Sequence, residues 1–308
     1  FSALFNYHTR DLDGTPTVFR ASAIKPGTND FVDGFDRDVV YHDAAQRATQ
    51  TVKTEGGSMK LEYFTTDYTF TSVTGYETVE MYSQADVDGG YRVSSFADPS
   101  GYTGELGTVP SFSVESADGI PDHSQFTQEL RMASNELGAF DYQAGVFFFT
   151  EDLDIDTFHY NEDGSLKRYL TQNQKTDAWA VFASGDYEVS DRTSVTAGIR
   201  YSKDKKDYFS QRIISTTSDG EFFDPMYADT KDSAISWDLS AMYQYSDDTN
   251  LYTRLAKGFR APSIQGRVVS GSDPKLSVAD SEVIHSVEVG AKSDLLDNAA
   301  RVNFNLFY

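Results

Sequence analysis

Long, strict alternation of apolar and polar residues constrains this chain more than any other feature. It is clearest in Ala178 to Asp204, AWAVFASGDYEVSDRTSVTAGIRYSKD. Trp179, Val181, Ala183, Tyr187 and Val189 share one face of the first run, while Ala178, Ala180, Ser184, Asp186 and Glu188 take the other, with Phe182 as an intruder. After the turn Ser190-Asp191-Arg192, the residues Val195, Ala197, Ile199 and Tyr201 oppose Ser194, Thr196, Gly198, Arg200 and Ser202. A period of two marks a β-strand with unlike faces. Each run is about 12–14 residues, roughly twice the usual strand of a soluble domain.

The pattern recurs along the whole chain. It predicts eleven strands at about 1–9, 57–66, 68–83, 123–134, 139–151, 176–189, 193–206, 232–246, 249–259, 282–294 and 299–308. Short turns at about 66–68, 135–138, 190–192, 247–248 and 295–298 carry Asp, Asn, Ser and Gly suited to tight hairpins. Long connections at about 10–56, 84–122, 152–175, 207–231 and 260–281 alternate with them without exception. Short turns on one side and long loops on the other describe an antiparallel up-and-down transmembrane β-barrel. A sandwich or propeller would have shorter strands and no such rule, and no internal repeat is present.

Composition then removes whole classes of function. The chain holds 26 Lys+Arg against 48 Asp+Glu, a formal charge of −22, which excludes nucleic acid as a partner. No stretch approaches the length of apolar sequence that a membrane helix needs, a test to which strands are blind. There is no cysteine, so disulfides and thiolate chemistry are absent. The first residues, FSALFNYHTR, and the last, RVNFNLFY, both read as strands under way, so an excerpt of a longer barrel is expected.

Faces supply the candidate functional positions. Ile235, Trp237, Leu239, Ala241, Tyr243 and Tyr245 form one apolar face, as do Tyr142, Ala144, Val146 and Phe148, and Val302, Phe304, Leu306 and Tyr308. In lipid these faces turn outward, and Trp179, Tyr187, Tyr201, Trp237 and Tyr245 become interfacial girdle residues; packing inside a soluble core is the alternative. The polar faces carry Glu129, Arg131, Arg200, Asp238, Glu288 and Lys292, as expected of a lumen that is wet or plugged by another domain. Pairing across strands simply to satisfy one another is the competing account. In the long connections, Tyr91, Arg92, Phe96 and Tyr102, and Tyr208, Phe209, Arg212, Phe222 and Phe223, mix aromatics with Arg as a ligand vestibule would.

Catalytic signatures are missing. His8, His42, His123, His159 and His285 form no metal-binding pair, there is no nucleophile elbow or phosphate loop, and His285 and Ser286 point to opposite faces of one strand. No enzyme activity, cofactor or bound metal is expected. The acidic stretches DVDGG (86–90), EDLDID (151–156) and NEDG (161–164) do not fit the EF-hand frame and read as solvated loops.

One family resemblance covers nearly the whole chain in order. LYTRLAKGFRAPSIQGR (251–267) and SEVIHSVEVGAKSDLLDNAARVNFNLFY (281–308) resemble the barrel of TonB-dependent outer-membrane receptors, in Lys257 to Ser263 and then Glu282, Ser286, Glu288, Gly290, Lys292 and Ser293. FTQELRMAS (126–134), DYQAGVFFFTED (141–152) and YTFTSVTGYE (68–77) are similar to further strands of that family. The resemblance implies a monomeric barrel of about 22 strands around a plug, of which this chain would be a part lacking the plug and the closing strands. It implies a place in the outer membrane of a Gram-negative bacterium, among outer-membrane lipid and lipopolysaccharide. It also implies uptake of a scarce nutrient, foremost a ferric-siderophore-type metal chelate, energised by the TonB–ExbB–ExbD complex through the plug. A saccharide or cobalamin ligand, or a passive porin-like channel, are the alternatives. Glu129, Arg131 and Arg200 would then be plug contacts. The acidic loops favour a neutral or cationic ligand over an anionic one at long range.

Overall fold

The computed structural model describes residues 1–15, 29–31, 36–38, 47–86, 115–135, 138–160, 164–215, 223–266, 275–297 and 299–308. Among the described residues every regular element is a strand. These are β1 (Ser2–Gly14), β2 (Thr49–Phe64), β3 (Tyr68–Asp86), β4 (Glu115–Ile120), β5 (His123–Ser134), β6 (Phe140–Tyr160), β7 (Leu166–Ser190), β8 (Thr193–Ser215), β9 (Phe223–Ser246), β10 (Thr249–Arg260), β11 (Ser263–Gln265), β12 (Ser277–Ala279), β13 (Glu282–Leu295) and β14 (Ala300–Phe307). One 12-stranded antiparallel sheet runs β1-β2-β3-β4-β6-β7-β8-β9-β10-β13-β14, with β5 also lying between β3 and β6. β4 and β5 therefore form one broken stave, interrupted at Pro121, which has no N–H to give to the ladder. β11 and β12 pair as a small separate hairpin.

Eleven staves thus stand where eleven strands were expected, and the tight turns fall where the polar dipeptides predicted them. In the 296–299 turn, Leu296 and Asp297 both adopt positive φ, 56° and 52°. The long side differs. The 152–175 and 207–231 connections are largely strand, because β6, β7, β8 and β9 continue to Tyr160, from Leu166, to Ser215 and from Phe223. The EDLDID stretch is likewise strand, with Asn173 Nδ2 donating to Asp152 and Asp154 at 2.7 Å each. These extensions were invisible to a search for alternation because both of their faces are polar.

The two faces of the sheet are unlike. Thr71, Leu170, Gln172, Thr176, Ala180, Tyr208, Ser210 and Arg212 are buried, and all lie on the polar face, whose crowding marks it as concave. Phe148, Val181, Ile199, Ile235, Leu239 and Val289 are exposed on the other. On β7 the outward apolar positions run from Tyr187 to Trp179, nine residues, followed by Asp177. At 3.3 Å per residue that is ~30 Å of strand.

The upper edge of this apolar band drifts through the register. One rung joins Thr78, Ser124, Asp152, Lys175, Asp207 and Asp229 across β3 to β9. Going up each strand, the outward residue that follows the last large apolar side chain of the band lies on that rung at Thr78 and Ser124. It lies two residues inside the rung on β6 (Thr150) and β7 (Asp177), and four inside on β8 (Lys203) and β9 (Ser233). On β10 it is Lys257, which faces Trp237, eight residues along β9 from Asp229. Eight residues of drift, ~26 Å, over six strand-to-strand steps of ~4.8 Å give a tilt of about 42° to the membrane normal, inside the range for closed barrels. The same tilt turns ~30 Å of strand into about 22 Å of apolar height, close to that of an outer-membrane barrel.

Candidate functional site

The concave wall is the candidate ligand-facing surface. All six charged residues expected on a lumen lie on it by register, and each has a partner there. Arg131 lies 3.5 Å from Glu129. The Arg200 guanidinium stands 5.4 Å above the Phe147 ring and 5.8 Å from that of Phe182, and its Nε donates to Ser202 Oγ at 3.0 Å. That contact explains why an aromatic residue interrupts the polar face at 182. Directly opposite, Gly145 leaves room for the ring; a Cβ there would lie 2.6 Å from Phe182 Cζ.

Further round the wall Asp238 pairs with Arg254. Glu288 accepts from Tyr252 Oη at 2.6 Å and Asn305 Nδ2 at 3.2 Å, and Lys292 Nζ sits 5.4 Å above the Tyr252 ring. Sequence reasoning overlooked Arg254 and Tyr252; both occupy the same alternate positions of β10 as Asn250, which would have revealed them. Opposite charges paired along β5 (Glu129 with Arg131) and across β9–β10 (Asp238 with Arg254) make a wet wall self-consistent, and a few tenths to 1 kcal/mol per pair is the expected scale.

Above the membrane the wall continues on the β6–β9 extensions. Tyr208, expected in a long connection, is a strand residue, buried, and donates to Gln172 Oε1 at 2.6 Å. Burial pushes its hydroxyl pKa up to about 12. Gly266, after β11, lies so close over the phenol that any Cβ would collide with its oxygen at 1.8 Å. Lys206 Nζ donates to Pro262 O at 2.9 Å, so the β10–β13 connection is strapped across the inner face of β8. Arg212, 4 % exposed, shares this face with Arg168, and burial first, then the Arg168 charge, lowers its pKa. Nearby, His123 Nε2 lies 3.2 Å from Glu151 Oε1.

The vestibule expectation therefore divides. Tyr208 and Arg212 face inward. Phe209 does not; it alternates outward and packs its ring 5.4 Å from that of Tyr227. Phe223 opens β9, and Tyr91, Arg92, Phe96, Tyr102 and Phe222 lie outside the described residues. The girdle candidates all face outward. Trp179, Tyr201 and Trp237 lie at the upper edge, with the Trp179 and Tyr201 rings 5.5 Å apart, and Tyr187 and Tyr245 lie near the short turns.

Comparison with known proteins follows this geometry. The family described as TonB dependent receptor-like, beta-barrel matches residues 3–308. Pesticin receptors of Yersinia enterocolitica and Yersinia pestis are each 28% identical over 179 residues, covering 56% of this chain and 25% of theirs. The chain thus spans about a quarter of the length of these curated relatives. Among solved structures, the ferric yersiniabactin uptake receptor FyuA from Yersinia pestis superposes with a TM-score of 0.65 at 18% identity, over 84% of this chain and 36% of that one. The ferric-catecholate import receptor Fiu from K12 E. coli gives 0.64 at 16% identity, over 99% and 48%. At these identities the solved structures speak for the fold.

Proposed function

The chain belongs to the TonB-dependent receptor family of outer-membrane β-barrels, and on that premise we propose that it forms the ligand-facing wall of a receptor for active uptake of a ferric chelate. It is a protein of the outer membrane of a Gram-negative bacterium. No side-chain chemistry is required of it: selectivity comes from contacts on the wall above the membrane, and transport from movement of a plug driven by the TonB complex. Further strands would close the free edges at β1 and β14.

The observation that carries the reading is the basic character of the inward β7–β8 extension. Arg168 and Arg212 stand together there, with Lys206 further down the same face, in a chain of net charge −22. That local field reverses the long-range one and suits the anionic oxygens of an iron chelate. Ferric siderophore receptors among the structural neighbours support the same substrate class.

The test uses the full-length receptor in cells fed a radiolabelled anionic ferric chelate. Uptake should collapse without TonB, and Arg212→Glu should weaken binding at least tenfold while the barrel still folds. Uptake indifferent to TonB would mean a passive channel; saccharide uptake without iron uptake would overturn the substrate class. Arg131→Glu and Arg200→Glu should reduce uptake but not binding if they face the plug, and unchanged uptake would remove that role.

A further inference from the structure

β10 leaves the wall before its neighbours do. Its pairing with β9 ends at Lys257 opposite Trp237 and with β13 at Arg260 opposite Glu282, and Pro262, without an N–H to give, follows. β9 runs on from Ser236 back to Phe223, paired among the described residues with β8 alone. The chain between β10 and β13 forms β11 and β12, and both lie against β9. It is a strap across the inner side of the wall, at the mouth of the lumen.

Three contacts pin the strap down. The Ser281 hydroxyl bonds the Asp232 carboxylate, Lys206 Nζ donates to Pro262 O at 2.9 Å, and Gly266 lies on the Tyr208 ring. Asp232 faces Asp204 across the ladder, so the contacts fall at three successive inward levels of β8, from 204 to 208, ~13 Å of strand. The first two contacts are single hydrogen bonds at a wet surface and hold weakly. The third is an interlock. Tyr208 and Gln172 are each 7 % exposed and joined by a 2.6 Å hydrogen bond, so the phenol cannot swing aside. A Cβ at residue 266 would lie 1.8 Å from its oxygen and 2.0 Å from Cζ. Close approach, and nothing about its own backbone, requires glycine there. The paired strap residues Ser263 with Ala279 and Gln265 with Ser277 are exposed and uncharged, which suits a barrier better than a binding site.

We propose that the strap is a fixed size filter at the mouth of the lumen, and that Gly266 and Tyr208 are the positioning pair that sets its aperture. A solute descending the β8–β9 wall past Arg212 meets the strap at Tyr208, two inward positions further down. Small solutes pass beside it and large ones do not. The filter acts on size and is independent of which solute the receptor imports.

Thr230, inward on β9 and directly opposite Lys206, lies at the level of the strap and reports access to the wall there. The full-length receptor in intact cells, with Thr230→Cys as its one reactive thiol, is treated with N-ethylmaleimide or with a polyethylene-glycol maleimide. Labelling is counted on the folded band of cold SDS gels. N-ethylmaleimide should react readily and the polymer should not. Gly266→Val should speed the polymer by about tenfold, because overpacking the interlock unseats the strap, and leave N-ethylmaleimide unchanged. Gly258→Val is the control, since a Cβ at that glycine meets nothing within 4 Å, and should change neither rate. A merely structural role would reduce the folded band and leave the ratio of the two rates as it was. A wild-type thiol open to both reagents or closed to both, or a Gly266→Val variant indistinguishable from Gly258→Val, would overturn the proposal. Should Gly266→Val give no folded band, Tyr208→Ala, which removes the ring and adds no bulk, carries the same comparison, read as a gain of about tenfold for the polymer only.

Discussion

The assignment of faces makes a prediction from two adjacent residues. Ala183 is the central outward position of the β7 band, four residues from Trp179 and four from Tyr187. At ~3.3 Å per residue and a tilt of about 42° it lies ~10 Å below the level of Trp179, near the bilayer midplane. Its cross-strand neighbours are Ala144 and Ile199, so nothing polar is within reach of a charge placed there. Ala183→Arg should cost about 2–4 kcal/mol, the scale for a cation on the lipid face at the midplane. Ser184 is one residue further and points into the lumen, where Gln143 Nε2 donates to its hydroxyl at 3.1 Å. Ser184→Arg gives up that bond, about 1 kcal/mol, but leaves the new charge in water. The two variants should therefore differ by about 2 kcal/mol, roughly thirtyfold in the unfolding equilibrium. The full-length receptor would be unfolded by urea in lipid vesicles, followed by tryptophan fluorescence and by the mobility of the folded barrel on cold SDS gels. Equal costs, or a greater cost at Ser184, would refute the face assignment and with it the register-derived tilt.

Other expectations rest on single contacts. Gly145→Ala should destabilise by about 1–3 kcal/mol, since its Cβ meets both the Phe182 ring at 2.6 Å and the Leu130 carbonyl at 2.7 Å; adding Phe182→Leu should recover only the ring's share in the urea midpoint. Leu296→Gly should stabilise by about 1 kcal/mol by the same measurement, because a leucine at φ 56° carries strain that glycine does not. Tyr208 lies five residues beyond the membrane band, and burial raises its folded pKa to about 12 from about 10 unfolded. The folded state holds that proton more tightly, so stability is unaffected below pH ~10 and falls between pH ~10 and ~12; the wild type should lose more over that interval than Tyr208→Phe, and parallel losses would show the hydroxyl to be solvated.

Which features were legible in the sequence follows from where the chain meets two solvents at once. Between Tyr187 and Trp179 the strand has lipid on one side and water on the other, so period-two alternation is obligatory, and it disclosed the staves and the face on which each girdle and lumen candidate lies. Beyond Asp177 both faces are wet and the constraint lapses. There the sequence LKRYLTQNQKTD reads as loop, and only the pairing of Thr171 with Gln211 and Gln174 with Tyr208 shows that it is strand. The inward turn of Tyr208 and the outward turn of Phe209 follow from that pairing and not from composition.

The sequence by itself determined an antiparallel barrel wall, its membrane-spanning height and the sign of each face, because burial in lipid acts on every second residue locally. Tertiary structure alone decided the stagger between strands. It set which charges meet, Arg254 with Asp238 and Lys205 opposite Lys231, and it brought Gly266 over Tyr208. Such contacts join residues 16 to 58 positions apart through a register that hydrogen-bonded backbones fix jointly, and no local pattern of side chains encodes it.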